Sequence, residues 1–200
     1  MKTIKIWNDN VSDRQLNDIA ARLDAGELVI LPTDTAYAVT CDALNMKSIE
    51  RICKMKGINP EKTNLSILCS GISMAAEYCR ISNSYFRMMK ENTPGPFTFI
   101  FKSASSLPKA FKGRKTVGIR IPDNNLTLAV VERFGHPLLT TTIEYSDEDY
   151  AVNPGLISEA YENRADMMVD GGDGSTELST VVDCTGDTPK IIREGLGQLS

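Results

Sequence analysis

The run Leu28-Val29-Ile30-Leu31, free of polar residues and halted by Pro32, constrains this chain more than any other feature. A strand that is apolar at every position has both faces buried, which calls for helices on both sides of its sheet. The residues after Leu31 are then delivered to the edge of that sheet, where they can meet a ligand. The surrounding sequence fits this layout. Lys2 to Ile6 alternates polar and apolar residues as a short strand does, and Leu16, Ile19, Ala20 and Leu23 recur at helical spacing from a cap near Ser12 to Gly26. Asn45 caps a helix from Met46 to about Lys56 that turns Ile49, Ile52 and Cys53 inward and carries Lys47, Arg51 and Lys54 on a second face; Gly57 ends it.

Further strands are expected at Leu65 to Cys69, Phe97 to Phe101, Thr116 to Ile121, Leu138 to Thr142, Met167 to Val169, Ser179 to Asp183 and Ile191 to Arg193. Helical signals cover Asn83 to Lys90, Leu126 to Phe134 before Gly135, and Pro154 to Glu162 after Asn153. The expected class is α/β (mixed α+β), a single domain over residues 1–200 with a twisted, largely open mixed sheet flanked by helices. With 200 residues and 42% hydrophobic content, such a domain buries its core without disulfides or metals. The first twenty residues lack an apolar run of signal-peptide or membrane length, so a cytoplasmic protein with no membrane contact is expected.

Cys41, Cys53, Cys69, Cys79 and Cys184 are odd in number and lack a Cys-x-x-Cys pair, which reads as reduced core thiols and no metal site. His136 is the only histidine and lies between Gly135 and Pro137, a structural position that leaves no histidine triad to build. Glu144 to Tyr150 is acidic without calcium-loop spacing and reads as a surface loop.

Charge is unevenly distributed. Residues 1–46 carry 4 basic and 7 acidic groups, residues 47–120 carry 14 and 4, and residues 121–200 carry 4 and 15, so segments of −3, +10 and −11 make up the net −4. A basic middle third can neutralise phosphates and concentrate an anionic ligand, although solvated helix faces would show the same composition.

Neither a Gly-x-x-x-x-Gly-Lys-Ser/Thr nor a Gly-x-Gly-x-x-Gly phosphate loop is present, and Gly171-Gly172-Asp173-Gly174 lacks the lysine and helix of one and reads as a turn. Pro32-Thr33-Asp34-Thr35-Ala36-Tyr37 places two hydroxyls, a carboxylate and a phenol just past the buried strand. That set can grip a small amino acid, or it can be a capping turn bonded to its own backbone. Other polar groups gather at strand ends and helix ends: Lys54 and Lys56, Arg120, Thr140 to Thr142, Ser179 and Arg193.

Pro-Thr-Asp-Thr-x-Tyr, a Lys-x-basic pair, Thr-Pro-Gly-Pro-Phe-Thr-Phe-Ile, Gly-Ile-Arg-Ile-Pro, Ser-Thr-Val-Val-Asp and Ile-Ile-Arg-Glu-Gly follow one another in the order 32–37, 54–56, 93–100, 118–122, 179–183 and 191–195. In that order the segments resemble the YrdC/YciO-like family, most closely its YciO branch, over roughly residues 12–197. The resemblance implies a concave cationic face and an enzyme of the threonylcarbamoyl-AMP synthase type. Such an enzyme joins L-threonine, bicarbonate and ATP with Mg²⁺ into threonylcarbamoyl-AMP and pyrophosphate for tRNA modification. It also implies roles: Lys54 and Lys56 as the catalytic phosphate contacts, Thr33, Thr35 and Tyr37 on substrate threonine, Arg120 and Ser179 on its carboxylate, Thr140 and Thr142 on the nucleotide, and Arg193 closing the site.

Three positions depart from the family pattern. Glu144 stands in place of an asparagine, Lys56 in place of an arginine and Ala38 in place of a glycine. A carboxylate repels phosphate, and a lysine gives up the planar fork of arginine. A second function class therefore stays open: a double-stranded RNA or tRNA binder that grips phosphates through a patch including Lys112, Arg114 and Lys115, by shape and without base readout.

Overall fold

The computed structural model describes residues 1–7, 10–113 and 115–200. Strand β1 (Lys2–Lys5) leads to helix α1 (Asp13–Asp24), whose first turn is fixed by reciprocal bonds between Ser12 and Gln15. Strand β2 (Val29–Leu31) ends at Pro32 and returns as β3 (Ala38–Asp42). Helix α2 (Met46–Met55) starts where the Asn45 side chain accepts from the amides of Lys47 and Ser48. There follow β4 (Ser66–Leu68), α3 (Ile72–Tyr78), α4 (Asn83–Asn92), β5 (Phe97–Lys102) and β6 (Thr116–Arg120). Helix α5 (Asn125–Phe134) is capped by Asn124 and closed by Gly135 at φ 79°, a left-handed position suited to glycine. The chain ends through β7 (Leu138–Thr142), α6 (Asp149–Val152), α7 (Pro154–Tyr161), β8 (Met167–Asp170), β9 (Thr180–Asp183) and β10 (Lys190–Arg193).

The strands form one open mixed sheet in the order β1-β8-β2-β3-β7-β4-β6-β5-β9-β10. Alternation along the central strands sorts side chains to two faces. Leu28, Ile30, Val39, Cys41, Ile67, Phe99, Ile119 and Val182 pack on one face with Ile49 and Ile52 of α2, Tyr85 and Met89 of α4, and Ile157 and Tyr161 of α7. Val29, Leu31, Leu68, Leu138, Met167 and Val169 pack on the other with Ile19 and Leu23 of α1 and Val130 and Val131 of α5. Helices thus cover both faces of β2, as its apolar run requires. The mixed α/β class and the open sheet agree with the sequence expectation.

Three elements differ from it. Strand β3, absent from the expected strands, pairs antiparallel with both β2 and β7 and is buried along nearly its whole length. Helix α3 begins at Gly71 with no side-chain cap, so it carries no sequence start signal. The acidic stretch read as a loop through Tyr150 closes into the short helix α6 at Asp149. All five cysteines are buried free thiols. His136 packs edge-on against Phe134 with ring centroids 5.1 Å apart, at the end of α5.

Candidate active site

A cavity of about 420 Å³ opens over the middle of the sheet, beside the last turn of α2. Its wall follows from strand register, because residues paired across a ladder share a face. Ser66 of β4 lies opposite both Thr140 of β7 and Gly118 of β6, and Gly118 lies opposite Ile100 of β5. These positions share the face of Leu68 and Leu138 but lie clear of α1 and α5, so polar groups line it there: Ser66, Thr98, Thr140, Thr142 and Ser179, with Arg120, Arg193 and Lys56 at the margins. Gly118 is needed for this surface. A Cβ there would run into Ser66 Oγ and come within 3.0 Å of Thr98 Cγ2.

Arg120 is almost fully buried and donates through Nη2 to Asp34 Oδ1 and Thr35 Oγ1, both at 2.7 Å, and to Thr33 Oγ1 at 3.2 Å. Burial pulls its pKa down and the Asp34 carboxylate opposes that shift, leaving a charged guanidinium. Its Nε–H is buried and has no partner among the described residues. Arg120 is part of the cavity lining.

The Pro32 to Tyr37 turn therefore serves Arg120 and its own backbone. Thr33 Oγ1 donates to the Ala36 carbonyl at 2.8 Å and accepts from the Thr35 amide at 3.1 Å. Tyr37 is 1% exposed, and its hydroxyl donates to the Gly172 carbonyl at 2.6 Å and accepts from the Gly171 amide at 3.1 Å. Burial pushes the Tyr37 phenol up to about 12. Thr33, Thr35 and Tyr37 stay out of the cavity wall, and Thr33 and Thr35 reach it through Arg120. The glycine turn is the bracket that holds Tyr37.

Ser179 and Arg193 form the opposite wall. Arg193 Nε and Nη2 donate to the Ser179 carbonyl at 3.2 and 2.7 Å, and Nη2 also reaches Ser179 Oγ at 3.1 Å. Ser179 Oγ lies 2.9 Å from Thr98 Oγ1. Beside Arg193, Ile192 supplies an apolar rim.

Lys56 and Lys54 part company. Lys56, 15% exposed, lines the cavity and donates to the Thr142 carbonyl at 3.1 Å and to Glu144 Oε1 at 2.9 Å. Lys54 points to solvent from α2 and lies outside the wall. Glu144 is held on its other side by Arg164 Nη2 at 2.8 Å, with its backbone amide donating to Tyr161 Oη at 2.6 Å. The Arg164 and Lys56 hydrogen bonds hold the Glu144 carboxyl below its usual range. Lys112 and Lys115 are exposed between β5 and β6, away from the cavity; Arg114 lies outside the described residues.

Ser66, Thr98 and Thr63 also line the cavity and went unnoticed in the sequence. Their only signal is the register that sets Ser66 opposite Thr140, and that requires knowing which strands pair. Among the described residues no group of three or more His, Cys, Asp or Glu could hold a metal ion. A Mg²⁺ ion at this cavity would arrive on a substrate's phosphates, with hydroxyls such as Ser66 and Thr140 as its protein contacts.

The sequence model of the Sua5/YciO/YrdC family, described as "Telomere recombination", matches residues 21–195. The uncharacterised protein YciO of Escherichia coli K12 is 33% identical over 197 residues, covering 97% of this chain and 95% of its own. The crystal structure of E. coli YciO superposes with a TM-score of 0.90 over 99% of this chain and 98% of that one. A threonylcarbamoyl-AMP synthase of Bacillus subtilis is 30% identical over 205 residues, spanning 98% of this chain and 59% of its own. Sua5 of Pyrococcus abyssi, crystallised with L-threonine, shares the fold at a TM-score of 0.88 and 23% identity, over 98% of this chain and 58% of that one.

Proposed function

Because the chain belongs to the Sua5/YciO/YrdC family, we propose that its cavity is the active site of a nucleotide-dependent enzyme of the threonylcarbamoyl-AMP synthase type, in the service of tRNA modification. L-threonine, bicarbonate and ATP would give threonylcarbamoyl-AMP, pyrophosphate and water. The observation that carries this reading is the placement of Arg120 and Arg193 on a hydroxyl-lined cavity. A cavity of about 420 Å³ falls in the range of small-molecule sites.

The residues divide the work by chemistry. Arg120 on the wall suits the carboxylate of a small amino acid, and the Asp34 and Thr35 bonds fix the guanidinium's plane for it. Once the threonine amine has captured bicarbonate as a carbamate, the carbamate oxygen attacks the α-phosphorus and pyrophosphate departs. Negative charge develops on the phosphoryl oxygens, where Arg193 and the Thr140, Thr142 and Ser66 hydroxyls are already oriented by the sheet. Holding the two reactants on one rigid surface supplies the orientation that such a condensation needs.

A pyrophosphate-release assay on the purified chain with Mg²⁺, ATP, bicarbonate and L-threonine tests the reading. Release that requires L-threonine and falls at least tenfold in Arg193→Ala is expected, the loss of one charge-assisted contact being worth about 1.4 kcal/mol or more. Release no greater than in a blank without protein would overturn it.

A further inference from the structure

Among the described residues three cations line the cavity, Lys56, Arg120 and Arg193, and no carboxylate does. Two of the three have an acidic partner. Asp34 sits on Arg120 at 2.7 Å and Glu144 on Lys56 at 2.9 Å. Arg193 alone has no acidic partner among the described residues; its bonds go to Ser179. Because Arg164 shares the Glu144 carboxylate with Lys56, the cavity and its surround carry about two uncompensated positive charges, fewer than the four negative charges of a nucleoside triphosphate.

Of the two carboxylates, Asp34 is built into the fold beneath Arg120, whereas Glu144 is surface-lying, with 46% of its side chain exposed. Glu144 is nevertheless fixed at three points: Lys56, Arg164 and the Tyr161 hydroxyl on its amide. With the Thr142 carbonyl also accepting from Lys56, two of the three ammonium donors are engaged inside the protein. From these contacts we infer that Glu144 sets the charge class of the ligand. By occupying Lys56 it makes the cavity favour an anion of low charge, a nucleoside monophosphate or an acyl adenylate, over a nucleoside triphosphate. Glu144 is a positioning residue here, acting through Lys56. The inference rests on the reading that the cavity holds a nucleotide, and it adds that the product adenylate is held better than the triphosphate.

Calorimetric titration of the full chain with AMP and with ATP, in Mg²⁺-free buffer where ATP keeps its full charge, tests it in the wild type, Glu144→Gln, Lys56→Met and the double variant. Melting curves establish that each is folded. Glu144→Gln is expected to tighten ATP relative to AMP by about tenfold, the scale of one charge-assisted hydrogen bond regained by Lys56. In the Lys56→Met background the same substitution is expected to leave the ratio unchanged. A change of ratio below about threefold in Glu144→Gln, under 1 kcal/mol, would overturn the inference, as would the full change persisting without Lys56. Neither L-threonine nor bicarbonate is present, so the outcomes separate from those of the synthase reading. Selective AMP binding by a chain that releases no pyrophosphate removes only the synthase activity; pyrophosphate release with an unchanged ratio removes only the role of Glu144.

Discussion

Arg120 and Asp34 face each other at 2.7 Å with side chains only 7% and 9% exposed, joining the end of β6 to the turn after β2. The second Asp34 oxygen accepts from the Asp123 amide at 3.0 Å, so the carboxylate ties three segments together. Desolvating both charges is costly, and the pair persists because each is hydrogen-bonded to the other and to fixed neighbours. The Pro32 to Tyr37 turn aims a guanidinium into the cavity without entering it.

Removing the carboxylate should therefore cost more than a surface pair would. Asp34→Ala leaves a buried guanidinium unpaired and is expected to destabilise the fold by about 3–5 kcal/mol. Urea unfolding checks this as a fall in midpoint at unchanged slope; a loss below about 1 kcal/mol would mean that water reaches Arg120.

Tyr37 separates scaffold from ligand contact. Tyr37→Phe removes two hydrogen bonds to the glycine turn, with an expected cost of about 1–3 kcal/mol. Because Tyr37 does not line the cavity, KM for L-threonine should stay within about twofold of wild type after correction for folded fraction, an energy change below 0.5 kcal/mol. A tenfold rise in KM at full folding would place the phenol on the substrate.

Much of this architecture is legible in the chain itself. Leu28 to Leu31 announces a strand buried on both faces, and the caps at Ser12, Asn45 and Asn153 mark helix starts because an N-cap bond is made within a few residues. Strand β3 is harder to see, since its burial comes from β7, far away in sequence. The same distinction runs through the site. Arg120, Ser179, Thr140 and Arg193 are recognisable as strand-end polar groups, whereas Ser66 and Thr98 acquire meaning only from register. The engagement of Glu144 by Lys56 and Arg164 depends on a contact between α2 and the segments around β7 and α7, which no local pattern encodes.

Acid titration isolates Glu144. Its carboxyl is depressed below the ordinary value of 4.5 by Arg164 and then Lys56. A depressed folded-state pKa contributes stability that is complete above the unfolded value and is lost as pH falls through the folded one. Glu144→Gln should thus reduce stability at neutral pH and flatten its decline between about pH 5 and 3. The side chain is 46% exposed, so solvent screening holds the effect below about 1 kcal/mol. Chemical denaturation of both proteins across that range measures it; parallel curves would contradict the ion-pair account.

The basic middle segment leaves Lys54, Lys112 and Lys115 exposed and outside the cavity, a surface suited to phosphates of duplex RNA or tRNA. Binding to an RNA duplex should weaken as salt rises, and neutralising the three lysines together should lower the slope of log K against log salt by about 2–3. A filter-binding series at several salt concentrations checks this; salt-independent binding, or none, would remove RNA from the account.

The reaction proposed for this cavity condenses three substrates into an adenylate. Incubating the protein with labelled bicarbonate, L-threonine and MgATP, and identifying the labelled product by mass, tests it most directly. Threonylcarbamoyl-AMP bearing the bicarbonate carbon is expected, absent when any one substrate is omitted and strongly reduced in Arg193→Ala. Labelled adenylate formed equally without L-threonine, or no labelled adenylate at all, would contradict it.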